Sequence, residues 1–227
     1  FKELTSANLP TPAISDGSKY FQTTIYTGNG STQSITQSGN SQFQPDWVWG
    51  KGRSTAESHA LFDAVRGTTK IIYSNLTNAE DTNSGVTAFN SNGFSIGSSA
   101  SLNNNTETYV AWQWLADGSG SSNEDGSINT TATSANTTAG FSISTYTGTG
   151  SAATIGHGLG VTPSMIFVKK RDSGSDDAWV VWHTKLPGAN YYLNLNDTGA
   201  KDTSVNYWNN TLPTSSVFSV GASNGTN

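Results

Sequence analysis

Tyr26-Thr-Gly-Asn-Gly-Ser31 recurs almost unchanged 120 residues later as Tyr146-Thr-Gly-Thr-Gly-Ser151. The chain is rich in Gly, Ser and Thr, so one short match could arise by chance. The residues downstream of each copy, however, also correspond. We therefore predict an internal duplication of the chain.

Three further pairs of segments match in the two halves. In the first pair a proline precedes an apolar run, a lysine and an arginine, and in the second Asn, Thr, Ala, Asp and Thr recur at identical spacing. The third pair is a short Phe-Ser strand. The pairs are Gln44–Arg53 with Thr162–Arg171, Ile72–Thr82 with Leu193–Thr203, and Gly93–Gly97 with Val217–Gly221.

A period of this length is the size of an ordinary domain and is too long for a solenoid unit. We predict tandem domains at residues 19–116 and 140–227, joined by a low-complexity linker at 117–139 and preceded by an extended linker at 1–18. The linker at 117–139 has too little apolar surface to offset its ordering entropy.

The last apparent strand of the first half, Thr108–Trp114, has no counterpart in the second half. Phe1 is also not an initiator methionine. We expect the chain to be a fragment, whose second domain is completed by a segment beyond Asn227 or by a strand of another chain.

The composition favours an all-β protein with many polar turns. Hydrophobic residues make up 33% of the chain and charged residues 12%, while Ser, Thr, Asn and Gly dominate. Short β-branched and aromatic runs between turn residues indicate antiparallel β-sandwich or jelly-roll-like domains rather than βαβ units. The predicted strands include Tyr20–Thr27, Trp47–Lys51, Ala56–Val65, Lys70–Asn75, Phe94–Gly97, Thr108–Trp114 and Ala178–His183.

Charge and cysteine content exclude several kinds of partner and site. The net charge is −5 at pH 7 and basic residues do not cluster, which argues against nucleic-acid binding. No apolar run is long enough to cross a bilayer, so we expect no membrane insertion. The absence of cysteine removes disulfides and thiolate metal sites. Nothing in the sequence indicates a cofactor.

The candidates for catalysis do not form a recognisable constellation. His157 lies in a Gly-rich loop whose counterpart in the first half lacks histidine, and His183 falls opposite Asp63. Asp81 and Asp202 could serve as paired glycosidase carboxylates. Each occupies the same slot beside a threonine, which favours a turn or a carboxylate that accepts backbone amides. We predict no catalytic residue and no enzyme activity.

Other motifs have structural interpretations. The glycine turns lack the third glycine and the helix of a dinucleotide site, so we predict tight hairpins. Asp117, Glu124 and Asp125 lack the ligand spacing of a calcium loop, and we predict no metal site. Two recurring basic pairs are predicted to pack on aromatic neighbours or to pair with carboxylates such as Asp63. They are Lys51 with Arg53 and Lys169 with Arg171.

Tryptophan is plentiful, and most of it has a packing interpretation. Trp47 and Trp49 project to one face of their strand, as do the two tryptophans of Thr108–Trp114. Met165 and Phe167 fill the matching slots of the second half. The bulk is kept but the indole is not, which indicates core packing.

One polar stretch with aromatic residues, Asn206-Tyr-Trp-Asn-Asn210, has no tryptophan in its counterpart. Aromatic rings stack on sugar faces while asparagine amides bind the hydroxyls. The predicted glycan-contact residues are Asn206, Tyr207, Trp208, Asn209 and Asn210. The alternative is that these loop aromatics cap the core.

Several strings together resemble a family of domains found in tail-fibre and other virion structural proteins of tailed bacteriophages, marine ones especially. They are Asp16–Phe21, the Tyr-Thr-Gly-x-Gly-Ser turn, Gln44–Trp49, Leu61–Gly67, Asn92–Gly97, Thr108–Trp114 and Gly156–Val161. Residues 1–14 resemble the exit from a SPRY-like, concanavalin-type sandwich. Gln113 departs from the family, whose members often carry cysteine there.

The resemblance implies a virion structural protein, a segment of a tail fibre or capsid appendage at the virion surface. The resemblance also implies a role in host attachment and in recognition of surface glycans. The implied partners are other virion subunits, in a homo-oligomer for which a trimer is one candidate, and a host glycan. The alternatives are a purely architectural spacer or decoration module and a polysaccharide depolymerase.

Overall fold

The structure, a computed structural model, describes residues 12–172 and 177–227. Strands make up 38% of it and helices 5%, which confirms the all-β prediction. Residues 1–11, which hold most of the predicted N-terminal linker and of the SPRY-like segment, lie outside the described residues. A short 3-10 helix at Gly17–Lys19 precedes the first strand.

The first half is a sandwich of two antiparallel sheets. One sheet has six strands in the order β1-β9-β3-β4-β5-β6, and the other has three in the order β2-β8-β7. A short helix, α1 (Ala100–Asn103), leads into β9. The strands are β1 Phe21–Thr27, β2 Gln33–Thr36, β3 Trp47–Gly52, β4 Ala60–Asp63, β5 Gly67–Tyr73, β6 Asp81–Thr82, β7 Val86–Asn90, β8 Gly93–Ile96 and β9 Thr108–Trp114.

Alternation along the strands builds the core of this sandwich. In β3 and β9 every second residue is buried, as expected for strands with one face on the core. Val48, Phe62 and Ala111 from the large sheet meet Phe94 and Ile96 from the small one, all fully buried.

The second half has smaller sheets. A four-stranded sheet runs in the order β13-β14-β15-β16, and β12 pairs with β17. A separate hairpin is formed by β10 and β11, and a four-residue helix, α2 (Val205–Trp208), packs on the core. The strands are β10 Ala132–Asn136, β11 Phe141–Thr145, β12 Ala153–Gly156, β13 Met165–Val168, β14 Val180–His183, β15 Tyr191–Asn194, β16 Asp202–Thr203 and β17 Val217–Val220.

Strand pairing follows the same order in both halves. The ladder β3-β4-β5-β6 corresponds to β13-β14-β15-β16, and the pair β2-β8 corresponds to β12-β17. The duplication itself and the domain bounds drawn from it stay predictions. The main difference between the halves concerns β9, which lies between β1 and β3 in the first half. The described strands of the second half include no counterpart of β9.

Two predictions about local structure need correction. Residues 117–139 were expected to lack order, but they contain β10 and further paired residues. Hydrogen bonds supply the stability that apolar surface does not: Thr133 donates to Thr130 at 2.9 Å, and the Ser134 hydroxyl accepts the amide of Asp117. The strand predicted over Ala56–Val65 is only four residues long, because the residues before β4 form no ladder.

The halves pack against each other through the outer face of the six-stranded sheet. Trp179 is buried against Leu61 and Ile72, with Trp47 and Trp49 beside it. These tryptophans therefore pack as predicted, but at the junction between the halves rather than inside one sandwich.

A network of charges crosses the same junction. Arg66 is bound to Asp63 at 2.5 Å and to Glu80 at 3.1 Å, and Arg171 reaches Glu80 at 3.1 Å. Asp63 thus pairs with Arg66 and not with Arg53, because Arg66 follows it in the turn between β4 and β5.

Candidate functional site

The Tyr-Thr-Gly-x-Gly-Ser turn of the first half holds the residues that lead into β9. Asn103, fully buried at the end of α1, accepts a hydrogen bond from the amide of Asn29 at 2.9 Å and donates to the carbonyls of Ser31 and Gly97. The Tyr26 hydroxyl donates to the carbonyl of Leu102 at 3.0 Å. The turn is therefore a clamp on the chain just before β9.

The turn of the second half makes the same contacts with the last residues of the sequence. Asn227 accepts the amide of Thr149 at 2.6 Å and donates to the carbonyls of Ser151 and Gly221. The Tyr146 hydroxyl donates to the carbonyl of Thr226 at 2.5 Å. Asn227 therefore lies where Asn103 lies in the first half.

A groove of about 1020 Å³ opens beside this second clamp. Among the described residues β11 pairs only with β10 and β13 only with β14, so each presents an edge without a strand partner. The lining is largely apolar and includes Phe141, Ile143, Tyr146, Leu159, Ile166 and Phe167.

The first half contributes aromatic side chains to the same groove. Trp47 and Trp114 lie along it, and Phe141 is stacked on Trp114 with ring centroids 5.9 Å apart. Met165 and Phe167, which correspond to Trp47 and Trp49, are 50% and 40% exposed. The groove is thus a partly apolar surface that the described residues leave uncovered.

A family profile described as "Domain of unknown function (DUF7483)" matches residues 16–227. The chain belongs to the DUF7483 family. The match includes both halves and the residues that line the groove. No curated protein and no solved structure matches the sequence.

The DUF7483 structure separates the five predicted glycan-contact residues. Trp208 is 2% exposed in the core of the second half, so its ring offers no surface to a sugar. Asn206, Asn209 and Asn210 are exposed around α2, and Tyr207 is half-buried. The prediction for Trp208 is wrong in this respect, because its position on a helix points the indole inward.

The carboxylates considered for catalysis have local partners in the DUF7483 domain. Asp81 accepts the amide of Thr82 at 2.7 Å, and Asp202 accepts the amide of Thr203 at 2.7 Å. Both lie in exposed two-residue strands. This is the local geometry expected when an aspartate binds the backbone of its own turn.

The histidines are hydrogen-bonded to neighbouring chain atoms. Buried His157 accepts the amide of Leu159 on Nδ1 at 3.2 Å and donates from Nε2 to the carbonyl of Thr214 at 3.2 Å. Burial holds the pKa of His157 below its ordinary value, so the ring is neutral. His59 accepts the indole N–H of Trp49, and His183 accepts the amide of Lys185.

Sequence reasoning missed a network of buried glutamines inside the first half. Gln113, fully buried, donates to the hydroxyl of Thr24 at 2.8 Å and accepts from Gln37 at 3.1 Å. Gln37 in turn accepts the amide of Phe43. Gln113 therefore satisfies polar groups in the core and does more than fill space.

Neither a metal site nor a membrane-spanning helix is found in the part of the chain that the structure describes. No three His, Asp or Glu side chains gather there in a way that could hold a metal ion. None of the described helices has the length and apolar character needed to cross a bilayer.

Proposed function

We propose that the protein is a structural module of a bacteriophage tail fibre or capsid appendage, at the virion surface, that acts in host attachment by binding a surface glycan. The motif resemblance and the polar, acidic all-β architecture support this role. The observation that carries the proposal is the exposed amide and aromatic surface around α2.

This surface combines the chemical groups that bind sugars. Tyr207 and Tyr192 are in edge contact with ring centroids 4.5 Å apart, and the Tyr192 hydroxyl lies 3.4 Å from the Asp202 carboxylate. Asn206 and Asn209 flank them with exposed amides, which can both donate to and accept from hydroxyl groups. Asn209 has a left-handed backbone that ends the helix and turns the chain.

A glycan array with three variants tests the proposal. Tyr207→Ala and Asn206→Ala should no longer bind the glycan that the native chain binds. The first removes an aromatic ring and the second a side-chain amide from the proposed binding surface. Asn105→Ala, an exposed asparagine of the first half, is the matched control and should bind normally. Equal binding by all three variants would overturn this site. Near-UV circular dichroism checks that each variant is folded.

The second candidate is an architectural spacer or decoration module without a glycan ligand. The open edges of β11 and β13 favour it, because unpaired edges are surfaces on which neighbouring subunits assemble. An intact particle examined by electron microscopy distinguishes the two. A spacer would have neighbours over its strand edges and over the Tyr207 surface, whereas an attachment module would expose that surface to solvent.

A further inference from the structure

We infer that the groove between β11 and β13 is a binding site for one extended β-strand with the side-chain pattern of Thr108–Trp114, entering beside Asn227. The strand would lie antiparallel to both edges and join the hairpin β10-β11 to the sheet β13-β16. This inference goes beyond the proposed function and does not depend on the proposed glycan ligand.

The first half shows the filled form of the same arrangement. β9 pairs antiparallel with β1 on one side and β3 on the other, so that Trp114 lies opposite both Phe21 and Trp47. Further along, Ala111 lies opposite Thr24 and Gly50. Among residues 12–172 and 177–227, no strand lies between β11 and β13, the counterparts of β1 and β3.

One side chain that lines the groove is the counterpart of a residue that β9 contacts in the first half. Tyr26 is stacked on Tyr109 of β9, with ring centroids 5.4 Å apart. Its counterpart Tyr146 lines the groove. A strand with an aromatic residue at the Tyr109 position would therefore regain that contact.

The clamp at Asn227 fixes the end from which the strand enters. In the first half the chain leaves the clamp at Asn103, crosses a short turn and starts β9 at Thr108 opposite Thr27. Three side-chain hydrogen bonds of Asn227 match those of Asn103, since each asparagine accepts an amide of its turn and donates to two carbonyls. A strand joined at Asn227 by the same number of residues would reach the groove in the register of β9.

The chemistry of the groove favours a peptide strand over a sugar. Residues of the β11 and β13 edges line it, and the amides and carbonyls of a strand edge match an extended backbone. Exposed Met165 and Phe167 correspond to Trp47 and Trp49, of which Trp47 contacts Phe141 of the second half and Trp49 contacts Trp112. In strand addition, main-chain hydrogen bonds give the affinity and pockets for alternate side chains give the specificity.

The test is a full chain extended directly after Asn227 with a copy of residues 104–114. Hydrogen exchange of Phe141–Thr145 and Met165–Val168 is followed by mass spectrometry. We expect exchange in both strands to slow about tenfold or more, because paired edges open only with the folded unit, together with a rise in Tm. The matched control carries proline at the counterparts of Val110 and Trp112, which removes two backbone donors and should cancel the protection.

A free peptide of residues 108–114, added to the unextended chain, provides a second readout if the fusion does not fold. Saturable protection of the same two strands supports the inference. Exchange that stays at the rate of the unextended chain in both experiments overturns it. Equal protection by the proline-containing fusion also overturns it, as would a dimer of the unextended chain in which both edges are already protected.

Discussion

Trp179 donates a hydrogen bond from its indole nitrogen to the carbonyl of Tyr73 at 2.8 Å, and this bond crosses from the second half of the chain to the first. The ring is 3% exposed, so bond and packing act together. The halves are therefore joined by a buried contact and not only by the segment between β9 and β10.

Replacement of this tryptophan should weaken the whole molecule. We expect Trp179→Ala to lower the free energy of unfolding by about 3–5 kcal/mol, the range for aromatic-to-alanine changes in a core. Trp179→Phe keeps most of the packing but leaves the Tyr73 carbonyl without its donor, and should cost about 1–3 kcal/mol. Urea unfolding of both variants measures the difference. Two separate unfolding transitions in the native chain would contradict a coupled junction.

The strand pattern was readable from the sequence, whereas the junction was not. The alternation at Trp47–Gly52 and Thr108–Trp114 identified both strands and the shared face of their tryptophans. Which surface covers that face depends on Trp179, far away in the chain. Local periodicity carries no information about such a contact.

Polar residues are where sequence reasoning failed most clearly. Thr133 and Ser134 are buried through hydrogen bonds, although their composition is typical of a linker. Trp208 is buried because Ser204 caps a short helix that its asparagine-rich surroundings did not predict. Burial of polar groups depends on partners that meet only after folding.

Glu80 should make the free energy of unfolding depend on pH in the acid range. Burial alone would raise the pKa of this carboxyl, but hydrogen bonds and charges from Arg66 and Arg171 outweigh burial and hold the pKa below its ordinary value of 4.5. As the pH falls, the unfolded chain therefore binds a proton at Glu80 before the folded chain does. Stability from Glu80 is present above about pH 4.5 and declines as the pH falls through the lowered pKa.

Denaturant unfolding at pH values from about 6 to about 3 tests this dependence. Glu80→Gln should flatten the acid slope of the unfolding free energy and should also destabilise the chain at neutral pH. Glu124→Gln, in an exposed position, is the control and should keep the native slope. An unchanged slope in Glu80→Gln would show that the ion network does not set the acid response.

His157 should add a second pH dependence at higher pH. Burial lowers the pKa of this ring from its ordinary 6.5, and the unfolded chain therefore binds a proton at a pH where the folded chain does not. Its stabilising effect is complete above about pH 6.5 and is lost as the pH falls. Position 157 in the second half corresponds to position 37 in the first half. His157→Gln therefore introduces the residue type that the first half carries there, Gln37.

The measurement is the unfolding free energy between about pH 7.5 and about pH 5. His157→Gln should remove part of the native slope in that range. The control is His183→Gln, because His183 is half-buried at the end of β14. If both variants keep the native slope, neutral burial of His157 does not contribute to stability.

Gly28 should tolerate no side chain, because the clamp requires a close backbone approach. A Cβ added there would lie 2.1 Å from the carbonyl oxygen of Asn104, and one at Gly148 would lie 2.4 Å from the carbonyl carbon of Asn227. Both clashes are with backbone, which cannot rotate away. We expect Gly28→Ala to cost about 1–3 kcal/mol, as for overpacked sites.

Gly17→Ala is the matched control, since a Cβ there has no neighbouring atom within 4 Å. Its unfolding free energy should change by no more than about 0.5 kcal/mol. Gly148→Ala should displace Asn227 and leave the first half intact, so hydrogen exchange should rise around Thr149 and not around Asn29. Equal effects of Gly28→Ala and Gly17→Ala would show that the turn is a flexible hairpin. Unequal effects would establish that the clamp holds the chain where β9 begins.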